Sequence, residues 1–391
     1  MLHGINASIG LILLPLIITN YESEQVKNFI LSESYTLLLQ ALWLYGFDLI
    51  GVKSIVDDKR VKNTIVEITA LRIAIFIVLI ILVKLSVSAG LFKFDYIAQW
   101  MMYYFMTTLC HSYFYQAYSS NLYLASMSAM TKGFALVYLV YAIVVDSTSI
   151  EIHEILDVLI ISAFANMVLS NLFIFISLKN TSETLSISID SIAGKIRTGS
   201  TFFFNNLCIT LMRGVNVPLL SNFLSNENLG IYALVERYFR ILQAFVRPLN
   251  DNSMPHVIRD FKENDNLRGS IEKNTKLQKY LNYMLLALIF VLTFAALTSA
   301  DFPVSNKIII LIAVMCPSIV FSYKNYFYGL IGLELTKRAP LFFKLILFVT
   351  ILNLVMIMAL THFFGIFGAG MSYALVEGFL LILVFRALRY A

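Results

Sequence analysis

Apolar stretches long enough to cross a lipid bilayer follow one another along almost the whole chain. Each has about twenty residues, the length that a membrane-spanning helix needs, and short polar segments separate them. A hydrophobic share of 59% and a mean hydropathy of +0.78 are typical of membrane proteins and not of a soluble core of this length. The pattern predicts an all-α integral membrane protein with about twelve transmembrane helices. They are expected near residues 4–20, 28–50, 64–85, 96–117, 123–145, 155–178, 201–223, 229–252, 277–299, 307–330, 341–362 and 366–388.

An internal repeat divides this series of spans into two halves. Shifted by 203 positions, the stretch from Pro15 to Lys59 matches that from Pro218 to Lys262 without a gap, and 13 of 45 positions are identical. The identities include polar residues inside apolar runs, such as Glu33 with Glu236. Six predicted spans separate the two copies, so both enter the membrane in the same direction, as in transporters built from parallel repeats. We expect an N-terminal lobe (1–180), a cytoplasmic linker (181–200) and a C-terminal lobe (201–391).

Loops that are rich in lysine and arginine alternate along the chain with loops that contain few of them. Cytoplasmic loops of membrane proteins carry an excess of both residues, which places both termini and the segment 253–276 in the cytoplasm. The net charge of +5 lies mainly in these short loops, so it indicates topology and not a nucleic-acid partner. The first apolar stretch lacks a basic leader and a cleavage pattern and is interpreted as a membrane helix, not as a signal peptide.

The eighth predicted span carries a polar stripe on one helical face. Its members are spaced three or four residues apart and therefore lie above one another along the helix; they are Glu236, Arg240, Gln243, Arg247 and Asp251. Charged groups facing lipid tails are expensive, which predicts that this face lines water or protein. The same spacing also fits a buried ladder of i, i+4 salt bridges, and both interpretations remain open.

The repeat favours binding over a ladder. The matching face of the second span keeps Glu33, Gln40 and Asp48 but has leucine in place of both arginines. A ladder that only held the bundle together would be expected in both halves, whereas a site for an asymmetric anion would not.

Three further polar residues within or beside the apolar spans complete the prediction. Arg213 and Arg72 would add cations to an internal cavity, so the predicted substrate-binding residues are Arg213, Arg240, Arg247, Gln243 and Arg72. Snorkelling or pairing is an alternative role for Arg72 and Arg213. Carboxylates that could couple transport to protons or sodium ions are Glu33, Glu236, Glu377, Asp48 and Asp251. No catalytic residue, metal site or other cofactor is expected, because the three cysteines are far apart and no nucleotide-binding P-loop occurs.

Three segments resemble the polysaccharide and O-antigen flippases. They are residues 13–55, which contain a proline closing the first helix and the turn GFD, residues 112–134, and residues 224–264, which contain LGIYALVERYFRILQAFVRP. All twelve predicted spans can be laid on the family pattern. One departure is the region before the first span, where the family usually has several basic residues and this chain has only His3.

The resemblance implies a member of the multidrug, oligosaccharidyl-lipid and polysaccharide exporter superfamily. Its fold would be two six-helix lobes in a V-shaped, MATE-like arrangement in the bacterial cytoplasmic (inner) membrane. Its cargo would be an undecaprenyl-pyrophosphate-linked oligosaccharide, and other polysaccharide-assembly membrane proteins are possible partners besides membrane lipid. The diphosphate would face Arg213, Arg240 and Arg247, and rocking of the lobes would carry the cargo across.

Two alternatives fit the same composition. A drug or cation antiporter of the same fold would favour an acidic cavity, which the arginines argue against. A multispan sugar polymerase or ligase acting on the same lipid-linked substrate would need a long outer loop with reactive residues, and none is visible in the sequence.

Overall fold

Helices account for all the regular secondary structure in the described residues. The computed structural model describes residues 12–57, 60–89, 95–118, 120–144, 150–179, 188–298, 306–336 and 338–389, and contains no strand there. The chain divides into two compact units, with the boundary between Val215 and Asn216. The predicted all-helical class is therefore confirmed for the part of the chain that the structure describes.

The first unit contains the described part of a helix at residues 12–20, named α1, and eight further helices. These are α2 (Ser23–Leu44), α3 (Phe47–Asp57), α4 (Val61–Ser88), α5 (Ile97–Thr108), α6 (Ser112–Ala117), α7 (Asn121–Val144), α8 (Ile152–Leu178) and α9 (Ile189–Gly214). Helix α8 packs on α5 and α7, while α2 packs on α5 and α9. Apolar side chains such as Trp43, Phe76 and Met101 fill the space between α2, α4 and α5.

The second unit is also helical throughout its described residues. Its elements are α10 (Asn216–Leu220), α11 (Asn226–Asn264), α12 (Leu267–Asn274), α13 (Lys276–Thr298), α14 (Asn306–Met315), α15 (Pro317–Lys324), a π-helix (Asn325–Gly332), α16 (Leu333–Leu335) and α17 (Ala339–Arg389). Helix α17 packs on α10, α14, α15 and the π-helix, and so forms the centre of the unit.

Several predicted spans are broken into shorter helices. The span predicted at 28–50 becomes α2 and α3, because Tyr45 (φ 42°) and Gly46 (φ 73°) adopt left-handed backbone. The span at 96–117 becomes α5 and α6, with His111 (φ 51°) at the junction. The segment predicted as a linker is helical from Ile189 onward. The described helices therefore outnumber the predicted spans.

Six helical stretches are long and apolar enough to cross a membrane, judged from the described residues. They are Val61–Ser88, Asn121–Val144, Ile152–Leu178, Lys276–Ala295, Asn306–Gly329 and Pro340–Arg389. Large apolar side chains on them are well exposed, including Leu122 at 70% and Phe134 at 73%. Because a soluble protein rarely exposes such continuous apolar faces, these helices are suited to contact with lipid.

Helix α17 is two helices joined at Gly365, where the backbone turns with φ 57° and ψ −138°. A Cβ atom on Gly368 would lie 1.9 Å from the Leu360 carbonyl oxygen. Residues eight positions apart in a straight helix are about 12 Å apart, so the chain must turn back at this point. Both glycines are needed, the first for its positive φ and the second for the close approach. The last two predicted spans meet here without an intervening loop.

Candidate functional site

Helix α11 carries the polar face that the sequence predicts as a binding site. It begins after Ser225, whose hydroxyl caps the helix by accepting a hydrogen bond from the Asn228 N–H at 3.4 Å. At about 1.5 Å per residue, its 39 residues extend for about 58 Å, well beyond the thickness of a hydrocarbon core. Glu236 and Arg240 lie on its N-terminal half.

Glu236 and Arg240 are neighbours on this face. Arg240 Nη2 lies 3.9 Å from Glu236 Oε2, across one helical turn. The Glu236 side chain is 2% exposed, whereas that of Arg240 is 32% exposed. A charge-assisted hydrogen bond between such groups would be about 2.7–2.9 Å long. The pair is thus a loose ion pair in which the carboxylate is buried and the guanidinium still reaches open space.

Tyr232 lies beside the buried carboxylate, close to other aromatic side chains of the second unit. Tyr232, one turn before Glu236, is fully buried and interacts electrostatically with both Glu236 and Tyr373 of α17. Phe239 packs near Tyr373, with ring centroids 6.5 Å apart. Burial among such groups makes the Glu236 charge costly unless neighbouring cations or hydrogen bonds stabilise it.

A hydrogen-bonded network links α10 to α17 in the same unit. Asn353 Nδ2 donates to Asn216 Oδ1 at 2.8 Å, and Ser372 Oγ donates to Asn353 Oδ1 at 3.4 Å. All three residues are buried. Sequence reasoning missed this network, because single asparagines in apolar helices do not reveal which helices they join.

Glu377 lies beside the π-helix and not on the face of α11. Asn325, the first residue of the π-helix, donates from Nδ2 to Glu377 Oε2 at 2.8 Å and to the Glu377 carbonyl oxygen at 3.0 Å. Glu377 is 3% exposed. π-Helical segments occur often at functional sites, which makes this carboxyl a notable position in the second unit.

In the first unit, Arg72 and Asp48 form a closed ion pair. Arg72 Nη2 donates to Asp48 Oδ1 at 3.0 Å, Nη1 donates to the Thr108 carbonyl oxygen at 3.1 Å, and the guanidinium lies 5.6 Å from the Tyr113 ring centroid. Asp48 also accepts from Ser112 Oγ at 3.1 Å. The Arg72 side chain is 0% exposed and that of Asp48 is 35% exposed. The guanidinium of Arg72 is thus engaged by the protein itself, and its role as a substrate ligand stays a prediction.

Glu33, the repeat equivalent of Glu236, has a different environment. The Tyr104 hydroxyl donates to Glu33 Oε1 at 2.9 Å, and the Tyr104 ring stacks on Trp100 with centroids 5.6 Å apart. At the position equivalent to Arg240 stands Leu37. A phenol hydroxyl therefore contacts this carboxyl, whereas a guanidinium lies beside Glu236.

Sequence reasoning missed two buried charges in the first unit. Glu67 of α4 is 2% exposed and accepts hydrogen bonds from Lys195 Nζ and, at 3.0 Å, from Ser191 Oγ of α9. Lys132 of α7 is 2% exposed and lies 5.8 Å from the centroid of the Tyr103 ring. The available signal was a single acidic or basic residue within an apolar helix. Such a residue does not reveal its partner, which for Glu67 is 128 residues away in the chain.

The remaining predicted residues are not described in the same detail. The side chains of Arg213, Arg247 and Asp251 lie outside the described residues, and Gln243 is half-buried on α11. The structure therefore places Glu236, Arg240 and Gln243 on one helix, and it places Glu377 elsewhere in the second unit. Among the described residues, no group of three or more His, Cys, Asp or Glu side chains is arranged to hold a metal ion.

Comparison with known proteins identifies the fold. A multidrug resistance MATE family transporter of the MOP superfamily in an inward-facing conformation superposes with a TM-score of 0.70 at 14% identity, covering 100% of this chain and 94% of that one. An outward-facing conformation of a multidrug resistance MATE family transporter of the MOP superfamily gives a TM-score of 0.57 at 13% identity, covering 100% of this chain and 93% of that one. This chain has the fold of the MATE transporters.

A third solved structure with this fold has a different description. It is a MOP superfamily transporter from Pyrococcus furiosus, described under the words "Reverse polarity of binding pocket suggests different function", with a TM-score of 0.55 at 12% identity and coverage of 100% and 93%. No protein-family profile and no curated protein matches the chain. The three solved structures together confirm the MATE-like fold expected from the sequence.

Proposed function

We propose that this protein is a flippase that moves an undecaprenyl-pyrophosphate-linked oligosaccharide, such as an O-antigen repeat unit, across the bacterial cytoplasmic membrane by alternating access. The observation that carries the proposal is that Arg240, one-third exposed, lies one turn after the buried Glu236 on α11. A guanidinium in this position can offer paired donors to a phosphate oxygen. The buried carboxylate would hold the arginine in place until cargo replaces it.

The loose geometry of this pair supports a binding role over a purely structural one. At 3.9 Å the two groups are farther apart than in a good charge-assisted hydrogen bond. The Arg240 guanidinium is also 32% exposed, so a ligand phosphate can approach it more closely than this carboxylate does. The tightly bound Arg72 of the first unit would lose its contacts with Asp48 and Thr108 in the same exchange.

The proposal includes the membrane arrangement predicted from the sequence. Twelve spans form an N-terminal and a C-terminal six-helix lobe, with both termini in the cytoplasm, and Arg213 and Arg247 join Arg240 and Gln243 in lining the cargo path. The six apolar helices and the MATE fold support a multi-pass membrane protein. Reporter fusions at the C-terminus and at residues 146–154 test the topology, because only the second position should be outside the cytoplasm.

Coupling to protons or sodium ions is assigned to the buried carboxyl groups. Glu33, Glu236 and Glu377 are each at most 8% exposed. Burial disfavours the charged form of a carboxyl group. Binding of a proton or a sodium ion to such a group would therefore change the energy of the transporter strongly. Among these, Glu236 is the one whose charge bears directly on Arg240. Polysaccharide-assembly membrane proteins that consume the cargo on the outer face are proposed partners.

The decisive experiment follows the leaflet in which labelled lipid-linked sugar accumulates. Cells carrying Arg240→Ala should retain the cargo in the inner leaflet and lose surface polysaccharide, with transport reduced about 30-fold or more, the effect expected for loss of a cation from an ion pair with phosphate. Arg240→Lys should restore part of the transport, because it keeps the charge but not the paired donors.

Lys307→Ala is the matched control. Lys307 forms an exposed ion pair with Glu227 at 3.5 Å in the same unit, so its loss should leave transport unchanged. Normal surface polysaccharide in the Arg240→Ala strain, at equal protein level, would disprove the proposed binding role. Cargo trapped in the outer leaflet would instead indicate a polymerase or ligase.

A drug or cation antiporter is a second candidate, favoured by the multidrug transporters that share the fold. In that case the buried Glu236 would bind the cationic substrate and Arg240 would compete with it. Arg240→Ala would then increase efflux of cationic dyes, whereas Glu236→Gln would abolish it. In the flippase, neither substitution should change dye efflux.

A further inference from the structure

A large cavity lies at one end of the second unit, away from Glu236 and Arg240. Its volume is about 1100 Å³, and it lies where α11, α12, α13, the π-helix and α17 come together. The wall includes Phe261 near the end of α11 and Leu388 near the end of α17. Most of the lining residues lie at or near helix ends.

Basic side chains dominate the charged part of the wall. Five cations and two acids line it, namely Arg268, Lys279, Lys324, Arg338 and Arg389 with Asp265 and Glu272. A cavity with such an excess of positive charge attracts anions, and walls of low polarity strengthen the attraction.

Two of the cations are already held by the protein. Arg268 Nε donates to Glu272 Oε1 at 2.9 Å, and Arg338 Nη1 donates to the Ala387 carbonyl oxygen at 2.9 Å. Lys324 and Arg389, in contrast, form no ion pair with any side chain that the structure describes. These two cations are therefore the wall residues best placed to pair with an anionic ligand.

Aromatic rings form the apolar part of the wall. Tyr328 of the π-helix packs edge to face on Phe385 of α17, with centroids 5.0 Å apart. The Tyr323 hydroxyl is held 2.6 Å from Thr275 Oγ1, which fixes its ring at the wall. Tyr283 of α13 completes this side and is 40% exposed. The cavity thus offers both cations and an apolar surface to one ligand.

The apolar side of the cavity continues onto an exposed helix face. Phe290 and Phe294 of α13 are 49% and 71% exposed. They follow the cavity residue Tyr283 by seven and eleven positions and therefore lie on the same helical face. On α17, Ile382 is 52% exposed and precedes the cavity residue Phe385 by three positions. A ligand with apolar tails can therefore place its head in the cavity and its tails along these helices.

We infer that this cavity is a binding site for an anionic membrane phospholipid, with the phosphate of the headgroup held by Lys324 and Arg389 and the acyl chains lying along α13 and α17. Basic pockets between membrane helices bind anionic headgroups in this way. Under the topology proposed above, the lipid belongs to the cytoplasmic leaflet. The site is separate from Arg240 and does not require that the cargo be a lipid-linked sugar.

Native mass spectrometry of the purified full-length protein tests the inference. Titration with phosphatidylglycerol should show one tightly retained lipid, and phosphatidylcholine should bind at least about tenfold more weakly because it has no net charge. The double variant Lys324→Gln, Arg389→Gln should weaken phosphatidylglycerol binding about 30-fold, from roughly fivefold for each cation removed. The charge-preserving variant Lys324→Arg, Arg389→Lys should bind like the wild type.

A variant of equal charge loss supplies the control. Lys53→Gln with Arg197→Gln removes two exposed cations from the first unit and should leave binding unchanged. Equal affinity for the two lipids, unchanged binding in the Lys324, Arg389 double variant, or equal weakening in the control would overturn the inference. So would displacement of the lipid by an equal concentration of glycerol 3-phosphate, because the cavity would then be a site for a free phosphate compound.

Discussion

The two units hold their buried carboxyl groups in different ways. In the first unit, Glu33 accepts from Tyr104 at 2.9 Å and Asp48 accepts from Arg72 at 3.0 Å. In the second unit, Glu236 meets Arg240 only at 3.9 Å. Glu33 and Glu236 occupy equivalent positions of the repeat, 203 residues apart. At the same position of the repeat, the carboxyl thus accepts a hydrogen bond from a phenol in one unit and lies at ion-pair distance from a guanidinium in the other.

The difference shows how a duplicated framework can acquire one polar site. Helix position and the acidic residue are common to both copies, whereas the neighbouring residue one turn later is Leu37 in one and Arg240 in the other. A single substitution of this kind changes the partner of the carboxylate without changing the helix that carries it. The comparison predicts that substitutions in the first unit mainly affect stability, and that those at Arg240 mainly affect transport.

The largest effect on stability is expected for Arg72→Ala in the first unit. The substitution removes a fully buried cation with two hydrogen bonds and leaves Asp48 without its ion pair. Breaking a buried pair costs about 3–5 kcal/mol, and we expect the lower end, because Asp48 is 35% exposed. Thermal unfolding of the purified protein in detergent measures the loss. An unchanged unfolding temperature would show that the pair is not a stabilising contact.

Tyr104→Phe is expected to have a smaller effect. It removes the hydroxyl that donates to Glu33 and leaves the ring stacked on Trp100. A hydrogen bond to a charged group contributes about 1.5–3 kcal/mol, so a loss of about 1.5 kcal/mol is expected. Denaturant or thermal unfolding checks this value. If Glu33→Gln with Tyr104→Phe loses as much as the sum of the two single variants, the two groups are not coupled.

Arg240→Leu reproduces in the second unit the residue found in the first. The ion pair that it removes is long, and the arginine is one-third exposed, so stability should fall by only about 1 kcal/mol, near the upper value for exposed pairs. Transport should nonetheless fall as strongly as in Arg240→Ala. Unfolding and cargo sidedness are measured on the same variant, and a stability loss as large as that of Arg72→Ala would abolish the distinction between the units.

Arg268→Ala should have the smallest effect. Its ion pair with Glu272 is at the surface, because the Arg268 side chain is 82% exposed and that of Glu272 is 50% exposed. The Arg268 hydrogen bond holds the pKa of the Glu272 carboxyl below its ordinary value, so any stabilisation is present above the unfolded pKa and is lost as the pH falls through the folded one. We expect no measurable change in unfolding temperature at pH 7. A clear decrease in unfolding temperature at pH 7 would mean that this ion pair stabilises α12 more than its exposure indicates.

Much of the helical framework could be predicted from the sequence. The apolar stretches locate α4, α7, α8 and α13 to within a few residues, because about twenty apolar residues in a row have few alternatives to a membrane helix. The i, i+4 spacing alone also places Glu236 beside Arg240. Local spacing was enough in both cases.

Long-range pairs and backbone breaks could not be predicted in the same way. Arg72 and Asp48 are 24 residues apart on different helices, and Glu67 and Lys195 are 128 apart. No periodicity connects such positions, since their contact depends on how the helices pack. The left-handed backbone at His111 was equally hidden, because residues other than glycine uncommonly adopt positive φ and a single histidine is a weak signal of it.

The turn at Gly365 has a mechanical consequence for the second unit. Only Gly365 separates the two arms of α17, and the Leu360 carbonyl contacts the arm that follows it. This short connection keeps one arm from sliding past the other. Any displacement of the segment that carries Glu377 must pull its neighbouring arm along as a rigid hairpin. An insertion of even a few residues at this corner would uncouple them.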